Sequence, residues 1–175
     1  AAGDVAPDFT VSDLETGEPV SLSSLRGKWV VIEAGSSTCS MYTKNIPGME
    51  SLCAEHPDVE FLVIYVREAH PGERLHQHKN FNEKVSAARL LKPRYNENRR
   101  VLVDSHAGDF HRVYGMKPNF IYVIRPDGTV HYRCDWALVD GLKEALGNRD
   151  ILHKQEHADM DKLHATRGMG IAIRT

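Results

Sequence analysis

A chain of 175 residues, 41% of them hydrophobic and with a formal charge of −2, has enough apolar material for one compact domain and no basic field to hold a phosphate backbone or an anionic lipid surface. No apolar run approaches the roughly 20 residues needed to span a bilayer, so nucleic acid and membrane are not expected partners. Three cysteines, Cys39, Cys53 and Cys134, do not all pair within one chain, which points to free thiols, a reducing compartment and hence the cytoplasm. Because the chain opens at Ala1, a removed leader stays open as an alternative.

From the N-terminus, Phe9-Thr10-Val11 and Val20-Ser21-Leu22 alternate around a turn through Gly17 and Pro19, a hairpin ahead of the main sheet. The apolar run from Trp29 to Ala34 reads as a buried strand. It breaks at Gly35 and passes through Ser36, Ser37 and Thr38 into Cys39. Ile46, Met49, Leu52 and Cys53 then share one face of a helix ending near His56-Pro57, with a kink expected at Pro47. Val59 to Val66 has the character of a central parallel strand, closed by the turn Arg67 to Gly72. Phe81, Val85, Ala88 and Leu91 predict a helix over 78–91 that Pro93 stops. A short strand at 101–104, a brief helix through Phe110 and Tyr114, a hairpin of 120–124 with 130–134 about Asp127-Gly128, and a helix over 136–146 complete the pattern. This order is α/β, a central mixed sheet with flanking helices, and ligands of such sheets collect beyond the carboxyl ends of the parallel strands. The expected division is a domain of 1–146 and a helical extension of 147–175, where His153, His157 and His164 fall on one face of a polar helix better read as solvated than as a metal site.

Cys39 is the candidate nucleophile. At the start of a helix, unpaired N–H groups and the positive end of the dipole favour a thiolate. Tyr42 stands where a Cys-x-x-Cys motif would place its second thiol, so a one-cysteine mechanism is implied. Cys53 lies about 21 Å along the same helix, far beyond the roughly 4.4–6.8 Å span of a disulfide, and reads as core. Hairpin register brings Cys134 opposite Ile121 at the active-site edge, which makes it the one internal thiol able to resolve an oxidised Cys39.

Across residues 3 to about 146 the chain resembles the thioredoxin superfamily, and its opening Gly3 to Phe9 is similar to that of the peroxidase and membrane-tethered reductase branches. Pro118 before the late strand matches the superfamily's cis-proline. A closer resemblance is to the iodothyronine deiodinases and their bacterial relatives. It rests on Thr38-Cys39-Ser40-Met41-Tyr42-Thr43 with Pro47, on Ile64-Tyr65-Val66-Arg67-Glu68-Ala69-His70, and on His78-Lys79-Asn80-Phe81 continuing to Leu91. Cysteine stands where the family carries selenocysteine, Ser40-Met41 replaces a proline pair, and Asn119-Phe120 occupies the approximate place of a substrate-binding arginine.

What the resemblance implies is a thioredoxin-like fold and reductive dehalogenation of an iodinated aromatic. In that reading Cys39 attacks iodine, and His70, Glu68 and Tyr65 relay the proton. His78, Thr38, Tyr42, Pro118 and Asn119 contact substrate. An external thiol or thioredoxin-type protein serves as reductant, with no cofactor or metal, and a homodimer is left open. The alternatives are a one-cysteine thiol peroxidase, for which Ser36 supplies only part of the peroxidase motif, and a non-catalytic thioredoxin-like binding module with an inert Cys39.

Overall fold

The computed structural model describes residues 1–150; the histidines at 153, 157 and 164 and nearly all of the expected extension lie outside them. The strands are β1 (Thr10–Asp13), β2 (Pro19–Ser21), β3 (Trp29–Gly35), β4 (Val59–Tyr65), β5 (Arg100–Val103), β6 (Ile121–Ile124) and β7 (Val130–Cys134). The helices are α1 (Ser40–Glu55), α2 (Phe81–Ala88), α3 (Leu91–Tyr95), α4 (Asp109–Tyr114) and α5 (Val139–Gly147).

All strands join one mixed sheet in the order β2-β1-β5-β4-β3-β6-β7. The N-terminal hairpin is therefore a wing of the main sheet, because β1 pairs antiparallel with β5 as well as with β2. At the centre, β3, β4 and β5 are parallel, and these strands read as nearly continuous apolar runs because both faces are covered. Alternation along β3 sends Val30, Ile32 and Ala34 into a cluster with Phe9, Phe110, Tyr114 and Phe120. Val31 faces the opposite way, toward Met49 and Leu52 of α1 and Leu142 of α5. On that same side, Val63, Tyr65 and Val103 pack with Tyr42, Ala88 and Leu91.

The expectation for 78–91 needs correction. The periodic stretch at 78–91 is two helices, and Pro93 sits inside the first turn of α3. Nothing is lost there, since the N–H that proline lacks would have no partner in a first turn anyway. α1 keeps Pro47 within its span. The hairpin of β6 and β7 pairs Ile121 with Cys134 as expected, and a bulge between Val123 and Ile124 pairs Ile124 with Val130.

The parallel register aligns Gly35, Tyr65 and Val103 side by side. The loops after β3, β4 and β5 consequently leave the sheet along one edge; those after β3 and β4 carry Ser37, Thr38, Cys39, Glu68 and His78, and the end of β4 itself supplies Tyr65.

Candidate functional site

Cys39 is the N-cap of α1, in extended conformation, and is only 3% exposed. Its approach to the helix is set by Gly35, where a Cβ would stand 2.6 Å from the Tyr42 ring. Tyr42 packs over the end of β3 because that position carries no side chain. Burial pushes the Cys39 thiol up, the amides of Tyr42 and Met41 pull it down, and the carboxylates of Glu33 and Glu68 push it up again. The balance is upward, so the thiolate expected from helix position is not the favoured resting form: desolvation and two acidic neighbours outweigh the helix start. The thiol side chain makes no capping hydrogen bond.

Glu68 is the hub of the site. It is 2% exposed, and the turn after β4 brings it back onto Tyr65, which precedes it by three residues. One carboxylate oxygen accepts from the Thr38 backbone N–H at 3.1 Å and from the Thr38 hydroxyl at 2.9 Å. The other accepts a short hydrogen bond from the Tyr65 hydroxyl and one from His78 Nε2 at 2.8 Å. Its own backbone is clasped by Gln77, whose amide accepts from the Glu68 N–H and donates to the Glu68 carbonyl. Burial opposes ionisation, but the hydrogen bonds from His78, Tyr65 and Thr38 win and hold the carboxyl below its usual range. Tyr65 is pushed far up by burial and by Glu68, so it stays a phenol, and its oxygen accepts from the Ser37 N–H at 3.0 Å. Through Ser37 and Thr38 the whole chain of bonds holds the loop that carries Cys39.

The expected relay is redrawn by these contacts. The His70 side chain is exposed, and His70 joins the network only through its backbone N–H, which donates to the Thr38 hydroxyl at 3.0 Å. The imidazole on Glu68 is that of His78, which the sequence reading placed against substrate. Tyr42 and Asn119, also placed against substrate, are both 0% exposed. Tyr42 donates to Glu97 at 3.0 Å, and the Asn119 amide donates to Glu33 and to the Ala34 carbonyl. Neither offers a surface to a ligand. Pro118 is preceded by a trans peptide bond, and the chain turns nearby at Gly115 and Met116, with φ of 122° and 55°. Cys134 is 4% exposed and packs beneath α5, in a different apolar cluster from Cys39, and no disulfide joins Cys39, Cys53 and Cys134.

A buried ionic group was missed. Glu33, in the middle of β3, receives Arg99 Nη1 at 2.7 Å, and Arg99 Nη2 and Nε hold Glu97 at 2.7 and 3.2 Å. A glutamate inside the otherwise apolar run from Trp29 to Gly35 was the available signal, since a buried charge demands a partner. Burial pushes Glu97 up to about 7 against the pull of Arg99.

A cavity of about 480 Å³ opens beside the Cys39 loop, lined by Ser37, Thr38, His70, Arg74, Arg94 and Tyr95 among others. Tyr95 donates to the Ser37 carbonyl at 3.3 Å. Among the described residues there is no cluster of metal-ligating side chains, and no helix is long and apolar enough to cross a membrane.

Comparison with solved structures supports a thioredoxin-like fold. A putative thiol:disulfide interchange protein DsbE from Chlorobium tepidum superposes with a TM-score of 0.66 at 21% identity, covering 83% of this chain and 95% of that one. A secreted Mycobacterium tuberculosis disulfide oxidoreductase homologous to E. coli DsbE gives 0.61 at 23% identity, over 79% and 94%. Among curated sequences, thyroxine 5-deiodinase of Sus scrofa is 32% identical and that of Homo sapiens 29%, each over 114 residues. Those alignments take in 59% of this chain and 37% of each relative, so the chain matches little more than a third of their length. The family model "Iodothyronine deiodinase" matches residues 1–138, a span that holds Cys39, Tyr65, Glu68 and His78, and the chain thus belongs to the iodothyronine deiodinase family.

Proposed function

We propose that this protein is a thiol-dependent oxidoreductase that removes iodine reductively from an iodinated aromatic compound. The observation that carries the reading is the buried chain Tyr65–Glu68–His78, tied by Thr38 and Ser37 to the loop of a single helix-start cysteine. In the first step the Cys39 sulfur attacks iodine. The carbon–iodine bond breaks, its electron pair stays on carbon, and a proton from the Tyr65–Glu68–His78 chain completes the C–H bond. Cys39 is left as a sulfenyl iodide. An external thiol then attacks that sulfur, releasing iodide and a proton and forming a mixed disulfide, which a second thiol reduces to restore Cys39. Cys39 and Cys134 lie in separate clusters, which favours the external thiol over internal resolution. Free thiols fit a reducing compartment such as the cytoplasm.

Arg74 and Arg94 on the 480 Å³ cavity, against the one carboxylate of Glu73 among its described lining, suit an aromatic that carries an acidic group. The peroxidase alternative is less well supported. Ser36 supplies only part of the peroxidase motif ahead of Cys39.

The test is to incubate the reduced protein with an iodotyrosine or iodothyronine and excess dithiol, and in parallel with hydrogen peroxide. Thiol-dependent iodide release, absent from Cys39→Ser, is expected. Peroxide consumption without iodide release would establish the peroxidase, and neither activity, with an unreactive Cys39, would establish a binding module.

A further inference from the structure

A second cavity is lined by His78 rather than by Thr38. Its volume is about 160 Å³, and its lining includes Arg67, Gln77, His78, Lys84, His106 and His111. The loops after β4 and β5 and the helices α2 and α4 supply these residues, and among the described residues the lining contains no carboxylate.

Lys84 is the unusual member. It is 2% exposed, so its ammonium is out of bulk water, and among the described residues it makes one hydrogen bond, to the Ser105 carbonyl at 2.8 Å. An ammonium has three donors, and no carboxylate among the described residues is close enough to Lys84 to form an ion pair. The nearest acids act at longer range and are already engaged. Asp104 spends its oxygens on the N–H groups of Ser105, Phe110 and His111, and Glu68 holds His78, Tyr65 and Thr38. Burial pushes the Lys84 pKa down, with Asp104 and Glu68 opposing. A buried cation with spare donors, facing a cavity, is costly unless something in the cavity answers it.

The histidines specify more. His111 Nε2 lies 2.7 Å from the Lys117 carbonyl, which only accepts, so this nitrogen carries the proton. Burial pushes the His111 imidazole down, favouring the neutral ring, and Nδ1 is then an acceptor. Among the described residues that Nδ1 has no hydrogen bond, and it is not sealed from solvent. It is left to the cavity. A ligand here must offer oxygen acceptors to Lys84 and Arg67 and an O–H to His111.

We propose that this cavity is a binding site for a small oxyanion that bears a hydroxyl, hydrogen phosphate being the simplest example. The site is separate from the cavity beside Cys39, which His78 does not line. It touches the same network, since His78 lines it and holds Glu68.

Isothermal titration of the reduced protein with inorganic phosphate, at neutral pH and constant ionic strength set with chloride, tests the assignment. Saturable binding at one site is expected. Sulfate, of similar shape but without a hydroxyl at that pH, is expected to bind at least about tenfold more weakly. Lys84→Met should weaken phosphate by about tenfold or more through loss of a charged hydrogen bond, and Arg67→Gln, at an exposed position that folding does not require, by several-fold. No saturable phosphate signal above chloride, equal affinity for sulfate, or wild-type affinity in the folded Arg67→Gln variant would each overturn the proposal.

Discussion

Replacing Glu68 by glutamine probes the site at its hub. The side chain keeps its size but loses its charge, and one oxygen becomes an NH2 group that donates where the carboxylate accepted. If that group faces Thr38, it meets two donors, the backbone N–H and the hydroxyl. If it faces Tyr65 and His78, the imidazole must change tautomer to accept, while the Tyr65 oxygen already accepts from Ser37. The second orientation costs less. A hydrogen bond to a charged group contributes about 1.5–3 kcal/mol against about 1 for a neutral one, and removing a buried charge returns part of its desolvation cost, so a net loss of about 2–3 kcal/mol is expected at neutral pH. Because the folded Glu68 pKa is depressed, the carboxylate's contribution is present above the unfolded value of about 4.3 and is lost as pH falls through the folded value. The gap between wild type and Glu68→Gln should therefore be widest near neutrality and close in acid. Urea unfolding across that range measures it. A gap below about 1 kcal/mol at neutral pH, or one that persists unchanged in acid, would refute the claim that this carboxylate is ionised and fully bonded.

Three further outcomes are expected. The rate of Cys39 alkylation should rise with a midpoint above the ordinary thiol value of about 8.5; a midpoint below it would mean that the helix start outweighs burial after all. His78→Ala should lower kcat for iodide release, since His78 bonds to Glu68, whereas His70→Ala, at an exposed side chain on the 480 Å³ cavity, should act mainly on KM. The opposite split, read from full saturation curves, would return the relay to His70. Glu97 sits at about 7 in the folded protein, above its unfolded value of about 4.3, so its contribution to stability is full below the unfolded value and lost as pH rises through about 7. Glu97→Gln should thus lose less stability than wild type between about pH 5 and about pH 8, a comparison that urea midpoints settle.

Local information carried much of this protein. Apolar runs located β3 and β4, turn residues located both hairpins, and the break at Gly35 placed Cys39 at a helix start. Each of these signals depends on a few consecutive residues, and each survived. Hairpin counting put Cys134 opposite Ile121 even though a bulge shifted the far end of the ladder. What failed was what depends on the third dimension. Exposure decided that Tyr42 and Asn119 are buried partners of Glu97 and Glu33 rather than substrate contacts, and nothing in the spacing of residues encodes that. Whether His70 or His78 reaches Glu68 was settled by the path of the loop after β4, since the imidazole ten residues away in sequence is the one 2.8 Å away in space. The protonation of Cys39 turned on the same distinction. A helix start is visible in sequence, but desolvation and the fields of Glu33 and Glu68 exist only once the strands have brought those groups together, and they reverse the direction of the shift.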